Sequence, residues 1–169
     1  MKQIQIKKLA LAGILVAVTV VCSPFSIPVG ASRCCPAQHF INILGAVYLG
    51  PGYAVATAFA ASLIRVMAGT GTFLAFPGSM CGALLSGLLY KYTKKLPFAY
   101  IGELFGTSVI GGMLSYPVAL LLMNNETAAL FTFVVPFFIS SFGGTLLAAV
   151  LVTIMKKAKI MDFYLGDLK

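Results

Sequence analysis

The apolar residues of this chain come in long, almost uninterrupted blocks, each closed by a glycine–proline pair, a polar turn or a lysine cluster. That pattern constrains the fold more than any motif. Of the 169 residues, 60% are hydrophobic and 9% are charged. Soluble domains carry roughly a quarter charged residues. A single aqueous core of this size cannot absorb so much apolar surface, whereas lipid can solvate the outer faces of a helix bundle. The reading is an all-α membrane protein, a single domain over residues 1–169.

The breaks divide the chain into six expected transmembrane helices, at about 9–29, 39–49, 53–67, 76–90, 98–123 and 127–154. Pro24 and Pro28 fray the end of the first. Gly50-Pro51 separates the second from the third, and Gly69-Thr70-Gly71-Thr72 ends the third. Asn124-Asn125-Glu126 makes the polar turn before the last. The N-terminal lysines followed by an apolar run imitate a signal peptide. The run is too long and too many apolar segments follow, so it is expected to stay as the first helix.

The 12 Lys and Arg against 4 Asp and Glu give a formal charge of +8. Most lysines sit at helix ends, which fits a membrane face and not nucleic acid. With six crossings, the N-terminal lysines, the Lys91, Lys94 and Lys95 turn and the Lys156, Lys157 and Lys159 tail share one side. By the positive-inside rule both termini are expected in the cytoplasm, in a prokaryotic cell membrane, with the turns at 31–38, 69–75 and 124–126 outside.

Polar groups that interrupt this background are the candidate site. Arg65 lies near the outward end of the third helix, where a charge must snorkel, pair or line a cavity. Gln38, His39 and Asn42 open the second helix, with His39 and Asn42 three apart and on one face. With Arg33, Thr70 and Thr72 they can ring an outward-facing pocket, or they can simply sit among lipid headgroups. Tyr116 and Asn124, further along the fifth helix, are pocket candidates beside Thr107 and Ser108, and Tyr116 suits stacking on an aromatic solute. Glu103 is placed in the inner half of that helix, where a carboxylate can pair with a lysine of the 91–95 turn, meet a partner or be protonated.

Several chemistries have little support. Cys34, Cys35 and His39 have no second histidine or acid beside them to complete a metal site. The Gly69–Thr72 run has no following lysine and is not an ATP site. No nucleophile, base and orienting acid form a set, and Glu103 and His39 are expected on opposite sides of the membrane, so an enzyme is not expected. No cofactor is implied. Small residues at Ala10, Gly13 and Ala17, and at Gly102, Gly106 and Gly111-Gly112, permit close helix packing, inside the bundle or against a partner.

The stretches SRCCPAQHFIN (32–42), Leu49-Gly50-Pro51, RVMAGTGTFLAFPGSMCG (65–82), Glu103–Thr107 and Ser115-Tyr116-Pro117 resemble the substrate-binding S component of energy-coupling-factor transporters, in its ThiW-like group. The resemblance covers nearly the whole chain. It implies a subunit that binds a vitamin precursor from outside, here hydroxyethylthiazole. It also implies a transmembrane coupling protein and two cytoplasmic ATPases as partners, which hydrolyse ATP to drive import. Small residues of the first helix contact the coupling protein in such systems, and Ala10, Gly13 and Ala17 match them, although alanine is more usual where Gly13 falls. Three alternatives stay open: another thiamine-related solute (the pyrimidine precursor or thiamine itself), a solitary facilitator, and a membrane enzyme or assembly subunit.

Overall fold

The computed structural model describes residues 2–29 and 32–157. Among the described residues there are six helices and one small hairpin. α1 spans Lys2–Cys22 and ends in a 3-10 turn at Ser23–Phe25. β1 (Ile27–Val29) and β2 (Ser32–Cys34) pair antiparallel, with Pro28 opposite Arg33. α2 spans Pro36–Tyr48, α3 Pro51–Met67 and α4 Ala75–Thr93. α5 is one rod, Leu96–Met123, that changes to π winding at Gly106–Gly111 and back. α6 spans Val134–Lys157.

Three sequence expectations fail at helix ends. The first helix was expected to start near residue 9, but α1 starts at Lys2. It was also expected to reach residue 29, but it stops at Cys22 and the chain turns into the hairpin. Pro24 fits the start of the 3-10 turn, and Pro28 has no N–H to continue a helix. The last helix was expected from Thr127, but it starts at Val134. Turns fill the interval, held by Thr127 Oγ1 donating to Asn125 Oδ1 at 2.8 Å and Ala129 N donating to Thr132 Oγ1 at 2.8 Å. Pro136 then sits in the first turn of α6, where its missing N–H leaves nothing unpaired.

The other boundaries follow local chemistry. Pro36, Pro51 and Pro97 each stand at the start of a helix. Gly50 holds φ +88° between α2 and α3, a backbone region that L side chains rarely adopt. Lys94 and Asn124 take left-handed conformations that end α4 and α5.

Among the described residues, three helices are long and apolar enough to cross a membrane: Gln3–Phe25, Leu96–Met123 and Val134–Met155. On α6, Val135, Phe138, Phe142, Leu146 and Val150 are each about half exposed or more (48–64%). Such a band is unfavourable in water and suits lipid. α2 is the opposite: every residue from Ile41 to Leu49 is buried. It is the core of the bundle, packed against α4 and α6, while α1 lies at the edge against α3 and α2.

The α4–α5 crossing is close because both faces lack side chains. A Cβ on Gly102 would lie 2.7 Å from Ser86 Cα, one on Gly106 2.6 Å from the Cys81 carbonyl oxygen, and one on Gly111 2.7 Å from Gly78 Cα. The glycines of the fifth helix thus serve internal packing. This contact brings Glu103 and Thr107 of α5 against α2 and α4.

Candidate functional site

The polar face of α2 carries Gln38, His39 and Asn42, all buried. Residues three and four apart on a helix share a face, so these three side chains leave α2 together. They meet polar groups of α3, α4 and α5. Gln38 Nε2 donates to Ser62 Oγ of α3 at 3.1 Å. Ser62 Oγ and Ser79 Oγ of α4 are 3.0 Å apart and share a hydrogen bond. Asn42 Nδ2 reaches the Ser79 carbonyl at 3.1 Å and Glu103 Oε1 of α5 at 2.9 Å. His39 Nδ1 also lies 2.9 Å from Glu103 Oε1, and Thr107 Oγ1 donates to the same oxygen at 3.2 Å. At the other end of the chain of bonds, Arg65 Nη1 donates to Gln38 Oε1.

Glu103 and His39 are therefore in contact, which corrects the expectation that they lie on opposite sides. Glu103 is wholly buried. It points across the close α4–α5 contact at Gly82, where a Cβ would lie 2.8 Å from Glu103 Oε1 and 2.1 Å from Thr107 Oγ1. Its Oε2 has no hydrogen-bond partner among the described residues. With Glu103 Oε1 as acceptor, His39 Nδ1 is the donor of this contact.

Beside this network lies a cavity of about 30 Å³, room for roughly two waters. Ser32, Arg33 and Cys35 border it from the hairpin and its junction with α2, and Gln38 and His39 from α2. Arg65 and Thr72 close one side, and Ala75, Gly78, Ser79 and Thr107 another. Leu74 and Phe137 supply the apolar wall, and Ser140 completes the lining. Ser140 Oγ also accepts from Cys35 N at 2.9 Å, which ties α6 to the start of α2. In the hairpin, burial pushes the Cys34 thiol above its ordinary pKa, Ser140 opposes that shift, and Cys35 adds to it.

The sequence candidates divide. Arg33, Gln38, His39, Arg65 and Thr72 come together at the cavity, and Asn42 stands one bond behind it. Thr70 does not line it: Thr70 Oγ1 accepts from Ser23 Oγ at 2.8 Å and donates to the Arg65 carbonyl at 3.3 Å, stapling the end of α3 to the 3-10 turn. Tyr116 is half-buried on α5, away from the cavity lining, and Asn124 is an exposed left-handed cap. Ala10, Gly13 and Ala17 are exposed on α1, and nothing lies within 4 Å of a Cβ built on Gly13. Ser62, Ser79, Phe137 and Ser140 were not singled out from sequence. Ser62 alone carried a signal, three residues before Arg65 in an otherwise apolar helix. Among the described residues no three His, Cys, Asp or Glu side chains gather as metal ligands.

A cavity lined by both apolar side chains and hydrogen-bonding groups can hold a small ring with polar ends. The model of the thiamine-precursor transporter protein family, ThiW, matches residues 9–158. The chain belongs to that family. Comparison with curated proteins and with solved structures gives no match. As a ThiW-family member the chain is a membrane transport protein whose solute class is thiamine precursors. With His39 and Glu103 now adjacent, their separation no longer argues against an enzyme. The transporter family does.

Proposed function

We propose that the chain is the solute-binding subunit of an energy-coupling-factor transporter and that its solute is the thiazole precursor of thiamine, hydroxyethylthiazole. The observation that carries this reading is the cavity. Its lining includes Leu74 and Phe137, which suit the face of a thiazole ring, and Arg65, Gln38, His39 and Ser79, which suit a hydroxyl or ring nitrogen. A ring is larger than the present cavity, so the solute parts its walls on entry, and Phe137 is the bulkiest side chain in the way.

In this reading all six helices cross the membrane and both termini are cytoplasmic. The exposed lysines Lys91, Lys94 and Lys95 at the α4–α5 turn mark the cytoplasmic side. The cavity, bordered by the hairpin, opens on the other. Two partner ATPases hydrolyse ATP, and the conformational change is transmitted through a transmembrane coupling protein. The exposed Ala10, Gly13 and Ala17 of α1 give that protein a face its own helices can approach closely.

The test is calorimetry on the purified chain in detergent with hydroxyethylthiazole, the pyrimidine precursor and thiamine. Saturable thiazole binding that weakens at least about tenfold in His39→Ala supports the assignment. Binding of the pyrimidine alone keeps the transporter class and moves the substrate. Uptake by cells that lack the coupling protein and ATPases would replace this reading with a solitary facilitator.

A further inference from the structure

We propose that the cavity is built for an anionic solute, so that the thiazole it prefers carries a phosphate or carboxylate group received by Arg65. This rests on the reading of the chain as a thiazole-binding subunit and, within it, replaces the neutral alcohol by an anionic thiazole. Arg65 is 2% exposed and forms part of the cavity wall. Its Nη1 is used by Gln38, while its buried Nε has no partner among the described residues. The edge of the guanidinium that carries Nε and Nη2 is the fork that matches two oxygens of a carboxylate or phosphate.

The described residues supply no such group. Of the four acidic residues, Glu103 is engaged by His39. Gln38, Ser62, Ser79 and Asn42 stand between it and Arg65 along the chain of bonds. Glu126 is exposed in the α5–α6 turn, and Asp162 and Asp167 lie outside the described residues. Among the described residues, no carboxylate lines the cavity and none pairs with Arg65. A buried guanidinium without a counter-charge is unfavourable, more so between apolar helices than in water.

Two further features have the same sign. Arg33 borders the same cavity from β2. Cys35 and Leu74, the residues that precede the first turns of α2 and α4, are both in its wall. The cavity therefore sits at two helix N-termini, whose dipoles favour negative charge. A neutral alcohol leaves this field unanswered, and thiamine, with its cationic thiazolium, is repelled by it.

The competing account is structural. Arg65 lies in the last turn of α3, where a cation complements the helix dipole, and it holds Gln38 in place. A ratio of affinities separates the two. Calorimetry would compare hydroxyethylthiazole, its phosphate ester and a thiazole carboxylate, with thiamine as the cationic control. The expected result is that at least one anion binds about tenfold or more tighter than the alcohol, that added salt reduces this preference, and that thiamine binds weakest. Arg65→Gln should bring the anion and alcohol affinities together, while Arg65→Lys, which keeps the charge without the fork, should retain part of the gap. Equal or tighter binding of the alcohol overturns this inference and leaves the thiazole-binding reading standing. So does an anion preference that survives Arg65→Gln. No binding of any thiazole, by protein that unfolds cooperatively, overturns both.

Discussion

His39 and Glu103 are 64 residues apart in sequence and joined by a 2.9 Å contact, Nδ1 to Oε1, at the centre of the bundle. The same Glu103 oxygen accepts from Asn42 and Thr107. One carboxylate oxygen thus links α2 to α5 and orients the histidine that borders the cavity.

Removing that acceptor strands the donors around it. Glu103→Ala leaves His39 Nδ1 and Thr107 Oγ1 without the partner they have now, while Asn42 keeps the Ser79 carbonyl. Each stranded buried donor costs roughly 1–3 kcal/mol, so the expected loss is about 3 kcal/mol or more. Glu103→Gln keeps an acceptor oxygen and should lose about 1 kcal/mol. Thermal unfolding in detergent should rank wild type, Glu103→Gln and Glu103→Ala in falling order. An unchanged midpoint in Glu103→Ala would mean that the contact contributes nothing to the fold.

Gly82 has to be glycine for the carboxylate to sit where it does. A methyl there would meet Thr107 Oγ1 at 2.1 Å, and Glu103 cannot retreat because it is wholly buried. Gly82→Ala is expected to destabilise by roughly 1–3 kcal/mol and to weaken solute binding, since Thr107 lines the cavity. Gly52→Ala is the control: nothing lies within 4 Å of its added Cβ and its φ is ordinary. There alanine should be neutral or stabilise by up to about 1 kcal/mol. The same unfolding assay, with calorimetry, reads both. Equal behaviour of the two variants would show that the crowding at Gly82 is relieved at no cost.

In the proposed reading, the exposed face of α1 separates binding from transport. Gly13→Leu adds bulk where the protein has no neighbour within 4 Å. Solute affinity in detergent should stay within about twofold of wild type. Uptake in cells that supply the coupling protein and ATPases should fall about tenfold or more, because close helix approach needs small residues. Uptake at the wild-type level would remove this face as the contact.

The order of the helices was legible because its signals are local. Lysine clusters, Gly50-Pro51 and the Asn124 cap each act within a turn or two. The cluster of Gln38, His39, Asn42 and Arg65 was legible because polar residues in apolar helices need partners. What was missed depends on distant pieces. Three-residue strands such as Ile27–Val29 and Ser32–Cys34 are too short for alternation to register. The contact between His39 and Glu103 depends on how far α5 slides along α2, which glycine packing sets and no periodicity records. Pro136 did mark the start of α6, and the apolar run before it concealed the mark.

The π turn in α5 supports a last prediction. An α-helix advances about 100° per residue, so residues five apart point about 140° from each other. Gly106 and Gly111 are five apart, yet both face α4, meeting Cys81 and Gly78. The wider π winding over Gly106–Gly111 is what keeps them on one side. Deleting Ile110, which is 37% exposed, turns this stretch into ordinary α-helix and leaves the two glycines four apart, still facing α4. That chain should fold, elute as a single species in detergent and bind solute. Leu84 of α4 is also exposed, at 45%. α4 has no wide turn to absorb its loss, so deleting it rotates Gly78 and Gly82 by about 100° away from Ser86. That chain should aggregate or fail to accumulate. Identical behaviour of the two deletions, in either direction, would show that the π turn is not what brings the glycines of α5 into line.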